Sequence, residues 1–217
     1  MVAPVDPALQ FDFHPIAIQR SKWTHQFHVW SPKLARRLSL YSHAAVDFWA
    51  MMESYASVLT FCEYPGHVIV DRKPRIADFV LRRKDVTEFV VVETTPLAAI
   101  DADALEILDP LPITTVNADV LKPHRVWIDN WLRMLPYVTS NGRFISSDFL
   151  DRIEHGVTLP KALYAIEYDA LPTDPVLTRT AVFDLTRRGR LVSPDLRTGE
   201  LNRHTRFRQV VATEGGK

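Results

Sequence analysis

The chain has 217 residues, and its 26 Lys and Arg balance its 26 Asp and Glu, so the formal net charge of zero argues neither for nor against a nucleic-acid partner. With 47% hydrophobic and 24% charged residues the composition is that of a globular protein and excludes a largely disordered one. A single cysteine, Cys62, excludes an internal disulfide and a cysteine-ligated zinc site.

A unit of about 200 residues buries roughly 70% of its unfolded surface, so the length allows one large domain or two small ones, each with a real core. No run reaches the roughly 18 apolar residues of a membrane span. The opening residues also lack the basic and apolar regions of a secretory leader. The expectation is a soluble, cytoplasmic protein with no membrane partner.

Taken in chain order, Ser42 to Ala56 places Ala45, Phe48, Trp49, Met52 and Tyr55 on one helical face, with Ser42 as the N-cap. Strands follow at Val58 to Glu63 and His67 to Asp71. The runs Ile76 to Leu81 and Glu88 to Glu93 then flank the polar turn Arg82-Arg83-Lys84-Asp85, the pattern of an antiparallel hairpin. Side chains alternate faces along a strand. A loop of two or four residues sets Asp78 and Glu93 on one face, and a three-residue loop separates them. Two carboxylates on one face are the least that holds a hard cation such as Mg²⁺, although strand carboxylates are more often solvated or salt-bridged. Arg75, Arg82, Arg83 and Lys84 stand near enough for the second use.

Asp101 to Leu108 has a short helical pattern that Asp109-Pro110-Leu111-Pro112 breaks, which sets a domain boundary near 110–118. The expected domains are residues 1–115 and 116–217. In the second, a helix from about Arg125 to Leu135 is ended by the tract from Pro136 to Gly142. Three more helices are expected at Ser146 to Glu154, Thr158 to Glu167 and Asp174 to Arg188. Two short strands, Arg190 to Ser193 and Thr205 to Val211, enclose a polar loop. Three helices followed by a two-stranded ribbon is the winged-helix order, whose third helix and wing commonly meet DNA.

The charge distribution points the same way. Between Arg179 and Arg208 eight arginines face three acids, Asp184, Asp195 and Glu200, with no lysine. Arg179, Arg187, Arg188, Arg190, Arg203, Arg206 and Arg208 are the candidate DNA-binding residues, since a guanidinium suits bidentate phosphate contacts. A solvated basic surface, or a winged helix that binds protein, is the alternative.

An ordered set of motifs spans nearly the whole chain. It comprises Trp30-Ser31-Pro32-Lys33 with Arg37, Ser42 leading a helix, Glu53 near its end, Val58 and Cys62-Glu63-Tyr64-Pro65. Asp78-Phe79 and Val92-Glu93-Thr94-Thr95-Pro96 come next, then the Asn130 helix, and finally Leu185-Thr186-Arg187-Arg188-Gly189-Arg190-Leu191 through Asp195-Leu196 to Thr205. This set resembles the TnsA family of transposon endonuclease subunits. Their catalytic half belongs to the PD-(D/E)XK nucleases, and a winged-helix domain follows it. The resemblance implies an α/β fold, a restriction-endonuclease-like mixed sheet flanked by helices followed by a mostly helical winged-helix domain. It also implies double-stranded DNA as ligand, a DDE-type transposase that makes the other strand cut, an ATPase regulator of transposition, and Mg²⁺ held by Asp78 and Glu93.

Two catalytic positions depart from that pattern: the family's helix Glu falls on Ala45 and its Lys on Thr95. In this class the acids hold the metal that activates water, and the Lys stabilises developing charge, a role worth ~10²-fold or more in rate. Asp47 points about 200° away from Ala45 on a regular helix, and Glu53 lies about two turns too far to stand in. The expectation is a TnsA-like subunit that binds DNA with an impaired nuclease centre. The alternatives are an active divergent Mg²⁺ endonuclease in which Lys73 or Arg75 replaces the missing Lys, and a protein-interaction module without DNA contact.

Overall fold

The computed structural model describes residues 11–19, 25–93, 98–99 and 107–210. In chain order the first half forms β1 (Ile18–Gln19), β2 (Phe27–Ser31), β3 (Arg36–Leu40), α1 (His43–Ser54), β4 (Val58–Glu63), β5 (His67–Val70), β6 (Lys73–Ile76), β7 (Phe79–Arg83), β8 (Thr87–Val92), β9 (Ala98–Ala99) and β10 (Ile113–Val116). The second half adds α2 (Ala118–Leu121), α3 (Arg125–Asn141), α4 (Ser147–His155), β11 (Lys161–Ala162), α5 (Leu163–Asp169), α6 (Pro175–Arg187), β12 (Leu191–Val192), α7 (Asp195–Thr198) and β13 (Arg206–Gln209). Among the described residues no helix is long and apolar enough to cross a membrane.

The chain divides into two units. The first comprises Met1–Val29, Leu38–Ala45 and Ser57–Ala118, and the second Trp30–Arg37, Val46–Ala56 and Asp119–Lys217. The last crossing between them lies after residue 118. The second unit also takes in residues 30–37 and 46–56, so the division is not linear in sequence.

The first unit is built on a mixed four-stranded sheet of order β10-β8-β7-β4. β4, β7 and β8 form an antiparallel meander, and β10 joins β8 in parallel. The expected hairpin forms, with Phe79 opposite Val90 and Arg82 opposite Thr87. The Arg83 N–H then bonds the Val86 carbonyl at 2.8 Å, which leaves a two-residue turn of Lys84 and Asp85. Both faces of the sheet are buried. Cys62, Val80, Phe89 and Val91 pack with Val68 and Ala77 on one side, while Phe61, Phe79, Leu81, Val90 and Val92 are buried on the other. Double burial explains the near-continuous apolar runs of β7 and β8.

Three local expectations needed correction here. The run expected from Ile76 to Leu81 is two strands, β6 and β7, broken at Ala77 and Asp78. β5 stops at Val70 because Asp71 and Arg72 (φ 50° and 64°) make the tight turn that pairs it with β6. β10 lies in the stretch read as a boundary. The Asp101–Leu108 helix and the end of the Thr205–Val211 strand fall largely or partly outside the described residues.

The second unit is mostly helical, with α6 packed against α3, α4 and α5 and a three-stranded antiparallel sheet of order β11-β13-β12. Ser146 and Asp174 cap α4 and α6, accepting from the N–H groups of Phe149 (3.2 Å) and Val176 (2.8 Å). Contrary to the sequence reading, α3 runs through Pro136 to Asn141. An interior proline costs about 3 kcal/mol. Burying Met134, Leu135 and Val138 around it returns about 1.5–3 kcal/mol each, so packing outweighs the lost bond. The helix expected from Thr158 begins only at Leu163, because Lys161 and Ala162 pair with β13 as a third strand.

Candidate functional site

The register of the four-stranded sheet gathers acidic residues at one of its ends. Asp78 immediately precedes β7, Glu93 immediately follows the antiparallel β8, and Glu63 closes β4 opposite Phe79. β10 ends at the same edge, where the Glu93 N–H donates to the Val116 carbonyl at 2.8 Å. Asp78 and Glu63 are buried, and Glu93 is exposed.

Asp78 stands at a bend rather than in a regular strand. Its N–H bonds the carbonyl of Val90, the residue already opposite Phe79, a two-against-one count of the kind that marks a β-bulge. The strict two-residue alternation of the hairpin therefore stops short of Asp78. Its carboxylate turns inward, and Oδ2 accepts the Val92 N–H at 2.7 Å. Burial pushes this carboxyl up to about 7, against the opposing pull of the Val92 bond and the nearby Arg75 charge.

Tyr64, next to Glu63, is held at φ 45°, an uncommon backbone state for a bulky side chain. Its N–H donates to the Asp78 carbonyl at 2.9 Å, and its hydroxyl accepts the Tyr41 N–H at 3.2 Å. Burial first and the Asp78 charge second keep this hydroxyl protonated well above its ordinary range. Tyr64 stands in the sequence only as a motif position, with no role assigned to it. Its signal was the Glu63-Tyr64-Pro65 step at a strand end.

The other positions singled out from the sequence separate into distinct environments. Ser42 caps α1 by accepting the Ala45 N–H at 3.0 Å, and Ala45 is itself fully buried. Thr95 lies outside the described residues. Asp47 accepts from both terminal guanidinium nitrogens of Arg125, at 2.6 and 3.2 Å.

Glu53 is fully buried in the second unit. Its Oε1 accepts from the Ser31 hydroxyl and its Oε2 from the Lys33 N–H at 3.3 Å, while the Lys33 ammonium donates to the Tyr55 carbonyl at 2.6 Å. Burial raises the Glu53 carboxyl and pushes the Lys33 ammonium down to about 8, with the Arg187 charge also acting on both. This arrangement ties the Ser31–Lys33 turn to the end of α1. It accounts structurally for residues that the sequence presented only as motif positions.

Five of the seven candidate DNA-binding arginines are engaged by carboxylates of their own unit. Arg179 donates to Glu167 (2.8 Å) and to the Tyr137 hydroxyl (3.2 Å). Arg187 and Arg188 share Asp184, Arg190 bonds Glu154 and Asp151, and Arg206 bonds Asp195 at 3.2 Å. Arg203 and Arg208 make no ion pair among the described residues, Arg203 donating only to the His204 ring.

Among the described residues no group of three or more His, Cys, Asp or Glu side chains is placed to hold a metal ion. The donor set at the sheet end fits Mg²⁺ poorly, since Asp78 is buried with Oδ2 engaged by the Val92 N–H while Glu93 is exposed. No protein-family model matches the chain, and no curated protein is detectably similar to it in sequence.

Proposed function

We propose that this chain is a TnsA-like subunit of a DNA transposition system, in which a nuclease-type core keeps its architecture without cutting and a winged-helix region contacts duplex DNA. The observation that carries this reading is the sheet end. A Ser-capped helix is followed by an antiparallel meander and a parallel fourth strand, with Asp78 and Glu93 flanking the two central strands at one edge. That is the arrangement expected of the PD-(D/E)XK fold named by the sequence motifs. The loss of cutting follows from the residues present. Ala45 replaces the helix carboxylate and is sealed inside the core, and the sequence supplies Thr95 in place of the charge-stabilising lysine.

The second unit supports the other half of the proposal. Its order α4-β11-α5-α6-β12-α7-β13, with β13 central in the small sheet, supports a winged helix whose wing carries the short α7. The partners proposed are double-stranded DNA, a DDE-type transposase and its ATPase regulator. No catalytic step is assigned to Mg²⁺, because the donor set fits it poorly.

The test is a cleavage assay on a transposon-end duplex with the transposase present, in Mg²⁺ and in Mn²⁺. The expected result is duplex binding at low salt that weakens steeply as salt rises, without nicking. Nicking by the wild type that disappears in Asp78→Ala overturns the impaired centre. Absence of binding, with and without transposase, overturns the DNA role in favour of a protein-interaction module. Restoring Ala45→Glu together with Thr95→Lys is expected to bring back cutting. Because the first change puts a charge at a fully buried site, a thermal melt of the double variant accompanies the assay.

A further inference from the structure

The arginine-rich segment divides into two sets that the sequence could not separate. From Thr180 to Thr186 every residue of α6 is buried, and solvent reaches only the first turn, Arg179, which is held by Glu167, and the C-terminal arginines. A helix covered on all sides along that length has no free face to lay in a major groove about 12 Å wide. Its arginines are also engaged: Arg187 is 12% exposed against a carboxylate, Asp184, that is 8% exposed, and Arg188 shares that carboxylate. A phosphate that took both arginines would displace the Asp184 carboxylate and leave it buried and unpaired.

The segment from α7 to β13 is different. Its tip is stitched by bonds from the Asn202 N–H to Thr205 Oγ1 (2.9 Å) and from the His204 N–H to Asn202 Oδ1 (2.8 Å). The start of α5 anchors it, with the Leu163 and Tyr164 N–H groups donating to the Thr205 and Arg203 carbonyls, both at 2.9 Å. Arg203 and His204 are exposed on this tip, and the half-exposed Tyr164 ring meets the His204 ring edge-on at 5.4 Å. Along β13, Arg206 and Arg208 point outward while Phe207 is buried between them. Of the two acids here, Asp195 meets Arg206 and Glu200 meets Arg133 at 3.1 Å, both at the surface, and such pairs are worth little and are screened by salt.

We infer that the phosphate backbone of duplex DNA is held by this wing, through Arg203, Arg206 and Arg208 with Tyr164 and His204 beside them, and not by α6. The inference rests on the DNA-binding reading proposed above. Three phosphate contacts of this kind make binding salt-dependent and largely independent of sequence, since phosphate contacts position a protein on DNA without reading bases.

The experiment is fluorescence anisotropy of a labelled mixed-sequence duplex titrated with the full chain over a series of salt concentrations. It compares the wild type, Arg203→Ala with Arg208→Ala, and Arg188→Gln at the exposed C-cap of α6. Both wing positions are exposed and outside any ion pair among the described residues, so the double variant is expected to melt with the wild type. Its slope of log affinity against log salt is expected to flatten by about 2, one per lost phosphate contact. Arg188→Gln is expected to leave the slope unchanged. Wild-type binding whose slope is untouched by the wing variant, or is flattened by Arg188→Gln instead, overturns the inference and leaves the DNA reading standing. A wild type that ignores duplex DNA but binds polyglutamate overturns both, in favour of an acidic protein partner.

Discussion

Replacing Asp78 by Asn tests the physical account of the sheet end most directly. The carboxyl is 6% exposed, and burial lifts it from an ordinary value of 3.8 to about 7. A group raised in the folded state stabilises the fold fully below its unfolded value, and that contribution is lost as pH rises through the folded one. The window here is therefore pH 3.8 to about 7. Linkage gives a cost of keeping Asp78 in the fold of about 2 kcal/mol at pH 5 and about 4 kcal/mol at pH 8. Asn carries no such cost, and its side-chain oxygen still accepts the Val92 N–H. Any packing difference adds a term independent of pH, and other titrating groups such as Glu53 are common to both proteins. Urea denaturation at the two pH values isolates the difference. Asp78→Asn is expected to gain about 2–3 kcal/mol relative to the wild type on going from pH 5 to pH 8. A gap that stays constant or shrinks would show that Asp78 is not held by desolvation. Stabilisation of the wild type but not the variant by Mg²⁺ at pH 8 would instead make Asp78 a metal ligand.

Two further substitutions probe the second unit. Glu53→Ala removes the acceptor of Ser31 and Lys33 and the counter-charge for Lys33 and Arg187, and is expected to cost about 3–5 kcal/mol in urea denaturation, with Glu53→Gln milder. Asn130, 1% exposed, donates to the Leu196 and Gly199 carbonyls (2.9 and 2.8 Å) and accepts the Leu201 N–H at 2.7 Å. Asn130→Ala is expected to lower stability by about 3 kcal/mol and to speed amide exchange at Leu201.

The parts legible in the sequence were those with local causes. Ser42, Ser146 and Asp174 cap their helices because a short polar side chain meets an unpaired N–H two or three residues on, which chain order alone specifies. The hairpin of β7 and β8 was legible because β-rich runs bracket a polar turn. What escaped was set by distant partners. Pro136 reads as a stop, yet the burial of Met134, Leu135 and Val138 carries α3 past it. Lys161 and Ala162 read as the start of a helix until β13, more than 40 positions on, pairs with them as a strand.

The candidate site divides along the same line. Residue types and spacing by themselves determined that Asp78 and Glu93 flank one hairpin, that Ala45 and Thr95 stand where the resemblance calls for Glu and Lys, and that arginines crowd the C-terminal region. Only the tertiary structure decided what those groups are free to do. It turned Asp78 inward onto a backbone N–H, and it set Asp184, Glu167 and Glu154 against the arginines of α6 and its end while leaving Arg203 and Arg208 without a carboxylate among the described residues. The reason is that charge and spacing are properties of the chain, whereas desolvation and pairing depend on which atoms folding brings within a few ångströms.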